Sequence, residues 1–250
     1  MRGRVYLVGA GPGAPDLLTL RAAEVLRRAD IVFHDALVHP ATLALAARAR
    51  KVPVGKRSGR RSTAQKFINK RLVDAAREHA VVVRLKGGDP LLFGRAQEEI
   101  DALRRAGVDL EIVPGVTAAT AAAAELGVSL TRRGLSRHVA FVTPRAAEGE
   151  RGNDWAAAVL AADTAVLYMG AGLAETISAE LTGRGMRPDT PVALVESASL
   201  PERRALVGTL AELPALARRA GEGPAIVLFG EVLKESAATP AAIGAALKRA

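Results

Sequence analysis

The sequence predicts an α/β protein of two α/β domains, and three observations lead to that prediction. Short apolar runs that are typical of buried strands alternate with amphipathic segments that are typical of helices. Such alternation favours a mostly parallel sheet that is covered by helices. The alternation weakens at Gly127–Gly134 and then resumes. We therefore place a boundary near residue 134, with one domain over residues 1–134 and the other over 135–250.

The first domain begins with a strand over Val5–Val8, because an apolar run is followed at once by a glycine-rich turn. Its helices are predicted where apolar residues recur at helical spacing, and the helix that starts at Ser62 has a serine N-cap. The other strands are Ile31–Phe33, Val52–Val54, Val81–Leu85 and Leu110–Val113, and the helices are Leu17–Arg28, Thr42–Arg50, Ser62–His79, Gln97–Ala106 and Thr117–Leu126.

The second domain shows the same signals, and a polar, glycine-containing surface loop is predicted at Arg145–Asn153. Asp154 is suited to cap the helix that follows this loop. The strands are Val139–Val142, Thr164–Met169, Pro191–Glu196, Arg203–Leu210 and Ala225–Gly230, and the helices are Asp154–Leu160, Gly172–Arg184 and Leu213–Arg219.

Composition excludes several classes of function. There is no cysteine, so disulfides, thiolate catalysis, zinc ribbons and iron–sulfur clusters are excluded, and a reducing cytoplasm is the expected location. The histidines His34, His39, His79 and His138 do not pair at metal-ligand spacing, so we expect no metal. No apolar run has the length of a membrane span. The net charge of +9 suits an anionic partner, although the arginines are dispersed along the chain.

Two glycine-rich loops follow strands and are the strongest candidates for ligand contact. The segment Arg84–Pro90 places Gly87, Gly88 and Asp89 at the end of a strand, where a ligand can lie against backbone. The segment Gly9–Gly13 partly matches the dinucleotide pattern G-x-G-x-x-G/A. Pro12 and Pro15 remove amide donors that a pyrophosphate would need, so this loop favours close contact with a different ligand.

The order of these and further motifs resembles that of the tetrapyrrole methylases. Within this superfamily the chain is most similar to the uroporphyrinogen-III C-methyltransferases, and the resemblance covers about residues 4–233. The motifs that carry it are Gly9–Gly13 with Leu17–Thr19, His34–Val38, Gly55–Arg57, Arg84–Pro90 with Phe93–Arg95, Val113–Ala118 and Thr131–Arg133.

The resemblance implies a class III methyltransferase fold, in which two α/β domains enclose a cleft, and a homodimer. It implies S-adenosylmethionine as the methyl donor, with S-adenosylhomocysteine as product. The implied substrate is uroporphyrinogen III, which is methylated at C2 and C7 to give precorrin-2 through precorrin-1. This product leads to sirohaem, cobalamin or haem d1. We expect no nucleic-acid or membrane partner.

The resemblance also assigns roles to individual residues. Donor contacts map onto Pro12, Gly87, Gly88, Asp89, Leu92, Thr117, Ala118, Met169 and Ala198. A proton-handling pair maps onto Asp35 and Lys56, and Arg95 and Glu98 match catalytic positions that meet the substrate. Arg57, Arg132 and Arg133 are expected to bind its carboxylates, which arginine recognises through bidentate hydrogen bonds.

The chemistry of these residue types agrees with the implied roles. Attack by a pyrrole carbon on the methyl group leaves a positive charge, which a carboxylate such as Asp35 can stabilise or relieve by taking a proton. The sulfonium of the donor is already activated, so the protein mainly aligns the reactants and needs no metal.

Other functions stay open at this point. A later precorrin methylase or an rRNA methylase of the same fold is one alternative. A nicotinamide-dependent oxidoreductase would rest on Gly9, Gly11 and Ala14. A nucleic-acid-binding protein would rest on net charge alone, and salt-sensitive binding to random sequences would indicate it.

Overall fold

A computed structural model of the chain describes residues 3–54, 62–146 and 152–234. It contains two compact units, Met1–Thr117 and Ala118–Ala250. This division differs from the predicted boundary near residue 134. The difference arises because Ala119, Ala122 and Leu126 are buried against residues of the second sheet, so their helix belongs to the second unit.

The described residues of the first unit form a sheet of five strands in the order β3-β2-β4-β1-β5, in which every neighbouring pair is parallel. The strands are β1 (Arg4–Gly9), β2 (Ile31–His34), β3 (Arg50–Pro53), β4 (Val81–Lys86) and β5 (Asp109–Val113). The helices are α1 (Leu20–Arg28), α2 (Pro40–Ala44), α3 (Ser62–Glu78) and α4 (Ala96–Arg105).

Helices cover both faces of this sheet. Residues of α1 form one apolar core with β1 and β4, and residues of α3 and α4 form another on the opposite face. From β1 the chain crosses to β2 on one side of the sheet, and from the neighbouring strand β4 it crosses to β5 on the other side. In open α/β sheets, ligands bind at such a switch point, beyond the carboxyl ends of the strands.

The second unit contains a mixed sheet in the order β6-β7-β10-β8-β9. The strands are β6 (Val139–Val142), β7 (Thr164–Tyr168), β8 (Pro191–Glu196), β9 (Arg204–Thr209) and β10 (Ala225–Gly230). The helices are α5 (Ala118–Leu126), α6 (Trp155–Ala161), α7 (Ala174–Gly183) and α8 (Leu213–Arg219).

The prediction of a mostly parallel sheet is confirmed for the first unit and wrong for the second. In the second sheet only β6 and β7 are parallel, whereas β10 is antiparallel to both β7 and β8. Strands β8 and β9 are also antiparallel, because the segment between Glu196 and Arg204 is too short for a crossover.

The predicted strands and helices are confirmed to within a few residues, with α2 as the main exception. That helix ends at Ala44 rather than Arg50, because the chain must turn to begin β3 beside β2. Ala46 and Ala49 in this turn are buried in the core, so their apolar character reflects packing rather than helix. Within the described residues, no helix has the length and apolar character needed to cross a membrane.

Candidate active site

The loops that follow the strands of the first sheet lie at one edge, because all five strands run in the same direction. The loops after β1 and β4 bond to each other through their backbones. The Gly11 amide donates to the Gly88 carbonyl at 3.2 Å, and the Gly88 amide donates to the Gly11 carbonyl at 2.7 Å. Both glycines have positive φ angles, of 73° and 65°, which side chains disfavour.

The loop after β5 joins this pair through two further glycines. A Cβ atom at Gly9 would lie 2.6 Å from the Gly115 Cα atom and 2.7 Å from the Gly88 oxygen. A Cβ atom at Gly115 would lie 2.9 Å from the Gly9 Cα atom and would collide with the Gly88 oxygen. These positions therefore require glycine, because only bare backbone lets the three loops approach so closely.

Asp89 ties the loop after β4 to the loop after β5. Its Oδ2 atom accepts a hydrogen bond from the Gly115 amide at 2.9 Å, and its Oδ1 atom accepts one from the Leu91 amide at 2.8 Å. The carboxylate therefore shapes the edge itself, in addition to the donor contact predicted for it. Pro12, Leu92 and Thr117 lie half-buried in the same three loops, while Gly87 is exposed.

Arg95 and Glu98 pair with each other at the start of α4. The Arg95 Nε atom lies 2.7 Å from Glu98 Oε1, and Nη2 lies 2.9 Å from Oε2. Both side chains are exposed. Arg95 and Phe93 have positive φ angles, of 55° and 54°, and such strained residues cluster at functional sites.

Asp35 follows β2 and belongs to a largely buried network of charges. The Arg84 Nη2 atom donates to Asp35 Oδ1 at 2.5 Å, and the Arg84 Nε atom donates to Glu99 Oε1 at 2.9 Å. The Lys86 ammonium lies 3.2 Å from each oxygen of Glu99. The side chain of Glu99 is fully buried and that of Arg84 is 3% exposed, whereas Asp35 keeps 30% exposure.

Sequence reasoning missed Glu99 and selected its neighbour Glu98. A signal for Glu99 was present, since it shares helical spacing with Ala96, Ile100 and Leu103, the apolar residues that α4 buries. A buried acid requires a cation. Arg84 and Lys86 alternate with Leu85 along β4 and so point to the face that α4 covers.

The pKa values of the two cations shift in opposite directions. Burial works to lower the pKa of Arg84, but the charges of Asp35 and Glu99 and the hydrogen bonds to them outweigh it, so the pKa is raised. Burial, followed by the positive charge of Arg84, lowers the pKa of Lys86 below its ordinary value of 10.5, against the attraction of Glu99 and Asp35.

The lowered pKa of Lys86 predicts a pH-dependent stability. The folded protein binds the Lys86 proton less tightly than the unfolded chain, so stability should rise with pH through the lowered pKa and level off above 10.5. As the pH rises over this range, the free energy of unfolding of the wild type, measured with urea, should increase relative to that of Lys86→Met. Lys70→Met, which removes an exposed lysine paired with Asp74, is the control. A constant difference between wild type and Lys86→Met would contradict the prediction.

In the second unit, Met169 and Ala198 lie at one edge of the sheet. They follow β7 and β8, which run in the same direction because both are antiparallel to β10. Met169 is 45% exposed and has a φ angle of 58°. Ala198 is buried between Ser197 and Ser199, whose φ angles are 49° and 73°. Strained backbone thus marks both predicted donor contacts.

Two buried or half-buried acids support this edge. Glu125 on α5 accepts a hydrogen bond from the Ser199 amide at 3.1 Å and pairs with Arg203 at 2.5 Å. Glu196 accepts hydrogen bonds from the Gly221 and Gly223 amides at 2.9 Å and 2.8 Å. Ala118 begins α5, and the Tyr168 hydroxyl accepts from the next amide, that of Ala119, at 3.2 Å.

Arg132 and Arg133 lie elsewhere in the second unit. They are exposed in a tight turn, in which Arg132 and Ser136 exchange backbone hydrogen bonds of 2.9 Å and 2.8 Å. Ser136 bonds to Thr164 at the start of β7, so the turn lies at the opposite edge from Met169 and Ala198. The structure therefore does not bring these arginines together with the second unit's donor residues. Lys56 and Arg57 lie outside the described residues.

A model of the family described as "Tetrapyrrole (Corrin/Porphyrin) Methylases" matches residues 4–214 of the chain. The chain belongs to the tetrapyrrole methylases. The resemblance found in the sequence motifs and the class III fold are thereby confirmed. Within the described part of this methylase, no group of three His, Asp or Glu side chains is arranged to hold a metal ion.

Relatives of this tetrapyrrole methylase have more specific names. The chain is 46% identical over 246 residues to the uroporphyrinogen-III C-methyltransferase of Pseudomonas aeruginosa, with 98% of the chain and 100% of that protein covered. It is also 46% identical over 232 residues to a siroheme synthase of Zymomonas mobilis, where 92% of the chain covers 49% of the relative. The methylase thus spans about half the length of the siroheme synthases that it matches.

A solved structure shares the fold of this methylase. The uroporphyrin-III C-methyl transferase from Thermus thermophilus, complexed with S-adenyl homocysteine, is 42% identical and has a TM-score of 0.81. The match covers 93% of the chain and 100% of that structure.

Proposed function

We propose that the chain is an S-adenosylmethionine-dependent C-methyltransferase that methylates uroporphyrinogen III at C2 and C7, giving precorrin-2 through precorrin-1. The observation that supports this most is the meeting of three separate motifs, Gly9–Gly13, Gly87–Asp89 and Pro114–Thr117, at one edge of the first sheet. The identity to the P. aeruginosa enzyme over its whole length adds support.

The residues at this edge fit the methyl donor. Among the described residues, a Cβ atom at the exposed Gly87 would have one neighbour within 4 Å, the Leu37 Cβ atom at 3.9 Å, so the described backbone there leaves room for a ligand. Pro12, Gly87, Gly88, Asp89, Leu92 and Thr117 are the residues of this unit that would hold S-adenosylmethionine. The donor contacts predicted for Ala118, Met169 and Ala198 stay predictions. When bound, S-adenosylmethionine supplies a methyl group activated by its sulfonium.

Asp35 is the residue that we assign to the proton step. Attack by a pyrrole carbon on the methyl group releases S-adenosylhomocysteine and leaves a positive charge delocalised over the pyrrole ring, which is relieved when another position of the macrocycle loses a proton. The Asp35 carboxylate stabilises this charge and accepts the proton, since Arg84 fixes its position and 30% of its side chain stays exposed. Lys56, the other member of the predicted pair, is outside the described residues.

Arg95 is suited to bind a substrate carboxylate. Its pairing with Glu98 satisfies the guanidinium, but exposed ion pairs contribute little free energy, so a polycarboxylate can replace Glu98 as the partner. The substrate contacts predicted for Arg57, Arg132 and Arg133 stay predictions. The homodimer and the cytoplasmic location also stay predictions. Light scattering after size-exclusion chromatography tests the homodimer.

Replacement of Arg95 by Ala should lower kcat/KM for uroporphyrinogen III about tenfold, because a charge-assisted hydrogen bond is lost. The affinity for S-adenosylhomocysteine, measured by calorimetry, should stay close to wild type. Arg187→Ala is the matched control, since Arg187 also makes an exposed bidentate pair, with Asp189. Full activity of Arg95→Ala would reject its substrate role.

Replacement of Asp89 by Ala should weaken S-adenosylhomocysteine binding at least about tenfold, because the hydrogen bond to the loop after β5 and the one within the loop after β4 are both lost. Calorimetry measures the affinity, and circular dichroism checks that the variant is folded. Asp74→Ala, which removes an exposed carboxylate on α3, is the control. An unchanged affinity would remove Asp89 from the site.

The proposed function is tested by an anaerobic assay with uroporphyrinogen III and methyl-labelled S-adenosylmethionine, followed by product mass. A gain of two methyl groups is expected. A gain of one would restrict the enzyme to the first step. If no transfer occurs although S-adenosylhomocysteine binds, the substrate is a different tetrapyrrole or an RNA.

A further inference from the structure

We infer that Glu99, acting through Arg84, positions the Asp35 carboxylate for the proton step, so that Glu99 and Arg84 are positioning residues of the reaction. This inference rests on the proposed function, which gives Asp35 its role. Neither Glu99 nor Arg84 is among the site residues that the sequence predicts. The structure places them in one continuous chain of hydrogen bonds that ends at Asp35.

Arg84 connects two carboxylates through different atoms of one planar group. Its Nε atom bonds Glu99 Oε1 at 2.9 Å, and its Nη2 atom bonds Asp35 Oδ1 at 2.5 Å. A guanidinium is rigid, so fixing one side of it also orients the donors on the other side. Because the Arg84 side chain is almost fully buried, it cannot reorient into solvent.

Asp35 is attached to β4 by its main chain as well. Its amide donates to the Leu85 carbonyl at 3.2 Å, and β2 pairs with β4 so that Phe33 lies opposite Arg84. The backbone hydrogen bond fixes the position of the Asp35 main chain, and Arg84 determines the orientation of the Asp35 carboxylate. The partly exposed carboxylate therefore meets solvent in a defined orientation.

Glu99 is fixed from two neighbouring elements. The Lys86 ammonium on β4 lies 3.2 Å from both of its oxygens, and the Gln65 amide on α3 donates to Oε1 at 3.2 Å. Gln65 in turn donates to Asn69 at 3.0 Å. Glu99 is thus an immobile anchor for Arg84.

Stability does not explain why these charges are buried. Removing charges from water costs free energy, and apolar residues of similar volume often give equal or greater stability than a buried ion network. The side chain of Glu99 is 0% exposed, so it cannot meet a substrate itself. Glu99 is linked to the partly exposed Asp35 through Arg84, and this link favours a positioning role for Glu99.

The test starts with Arg84→Lys, which keeps the charge but replaces the rigid fork with a single ammonium. We expect kcat to fall about 100-fold, since a small misplacement of a catalytic group can cost that much. The KM for S-adenosylmethionine should change less than about twofold, because the donor loops are untouched.

Arg184→Lys is the matched control. Arg184 also bridges two carboxylates, with Nε 2.7 Å from Glu180 and Nη1 2.6 Å from Asp154, but in an exposed position of the second unit. Its replacement should leave kcat unchanged. An equal loss of kcat in both variants would overturn the inference.

A double-mutant cycle separates positioning from a general structural effect. In an Asp35→Asn background, Arg84→Lys should lower kcat by no more than about a further twofold, because its target is already lost. If the two losses multiply, Arg84 does not act through Asp35 and the inference is wrong.

A second variant covers the case in which Arg84→Lys does not fold. The triple replacement Arg84→Met/Lys86→Met/Glu99→Leu removes the whole buried network at once and should fold. Its kcat should still fall about 100-fold, because Asp35 is no longer positioned. A folded triple variant with full kcat would overturn the inference.

Crystal structures distinguish this inference from the proposed function. A wild-type enzyme that does not methylate uroporphyrinogen III refutes the proposed function alone. The Asp35 side chain of Arg84→Lys, or of the triple variant, should then be displaced from its wild-type position. An unmoved Asp35 carboxylate would overturn the inference whatever the substrate is.

Discussion

We expect replacement of Asp35 by Asn to lower the rate of the proposed methyl transfer to uroporphyrinogen III by about 1,000-fold, because loss of a general base typically costs 100- to 10,000-fold. The side-chain amide introduced by this replacement can still accept from Arg84 through its oxygen, so the fold is retained while basicity is lost. The rate is measured anaerobically at saturating methyl donor, and calorimetry should give an unchanged affinity for S-adenosylhomocysteine.

Asp109→Asn is the control for this prediction. Asp109 begins β5, at the opposite edge of the same parallel sheet, and pairs with Arg4. Its replacement should leave the rate near wild type. If Asp35→Asn keeps more than about a tenth of wild-type activity, Asp35 is not the base.

Replacement of Gly115 by Ala should lower the free energy of unfolding by about 3 kcal/mol, the upper part of the usual range for overpacking. The added methyl group would collide with the Gly88 oxygen and lie 2.9 Å from the Gly9 Cα atom, and backbone on both sides leaves no flexible atom to yield. The loops after β1, β4 and β5 should separate. Urea unfolding measures the loss, and S-adenosylhomocysteine binding should weaken with it.

Gly183→Ala is the matched control, since a Cβ atom at Gly183 would have no neighbour within 4 Å in the described part of the chain. It lies at the end of α7, where Ala is a better helix former. Its effect on stability should stay within about 0.5 kcal/mol. Equal stability of the two variants would mean that the three loops are not packed as described.

Local patterns were sufficient to predict most elements of this fold. The apolar run that begins at Val81 and the glycines that follow it identified β4 and its loop, because a buried strand and a tight turn both have strong local signals. The length of α2 and the direction of β10 depend on how distant segments pair. Neither could be derived from residues that are neighbours in the chain.

The candidate site was predicted less evenly than the fold. Motifs located Asp35 and Asp89, but the attachment of Asp89 to the Gly115 amide depends on two loops that meet only after folding. The choice of Glu98 over Glu99 followed the motif rather than burial. Only the packing of α4 against β4 distinguishes the exposed partner of Arg95 from the buried partner of Arg84.

The buried charges of Arg84, Lys86 and Glu99 also constrain how this protein can evolve. Together with Asp35, which pairs with Arg84, they form a set of two cations and two carboxylates, so removal of any one of the three first leaves an uncompensated charge, which typically costs about 3–5 kcal/mol. A protein with apolar residues at all three positions can therefore be reached by single substitutions only through less fit intermediates. Selection that proceeds by single substitutions should preserve all three together, and a change at one of them should appear only alongside changes at its partners.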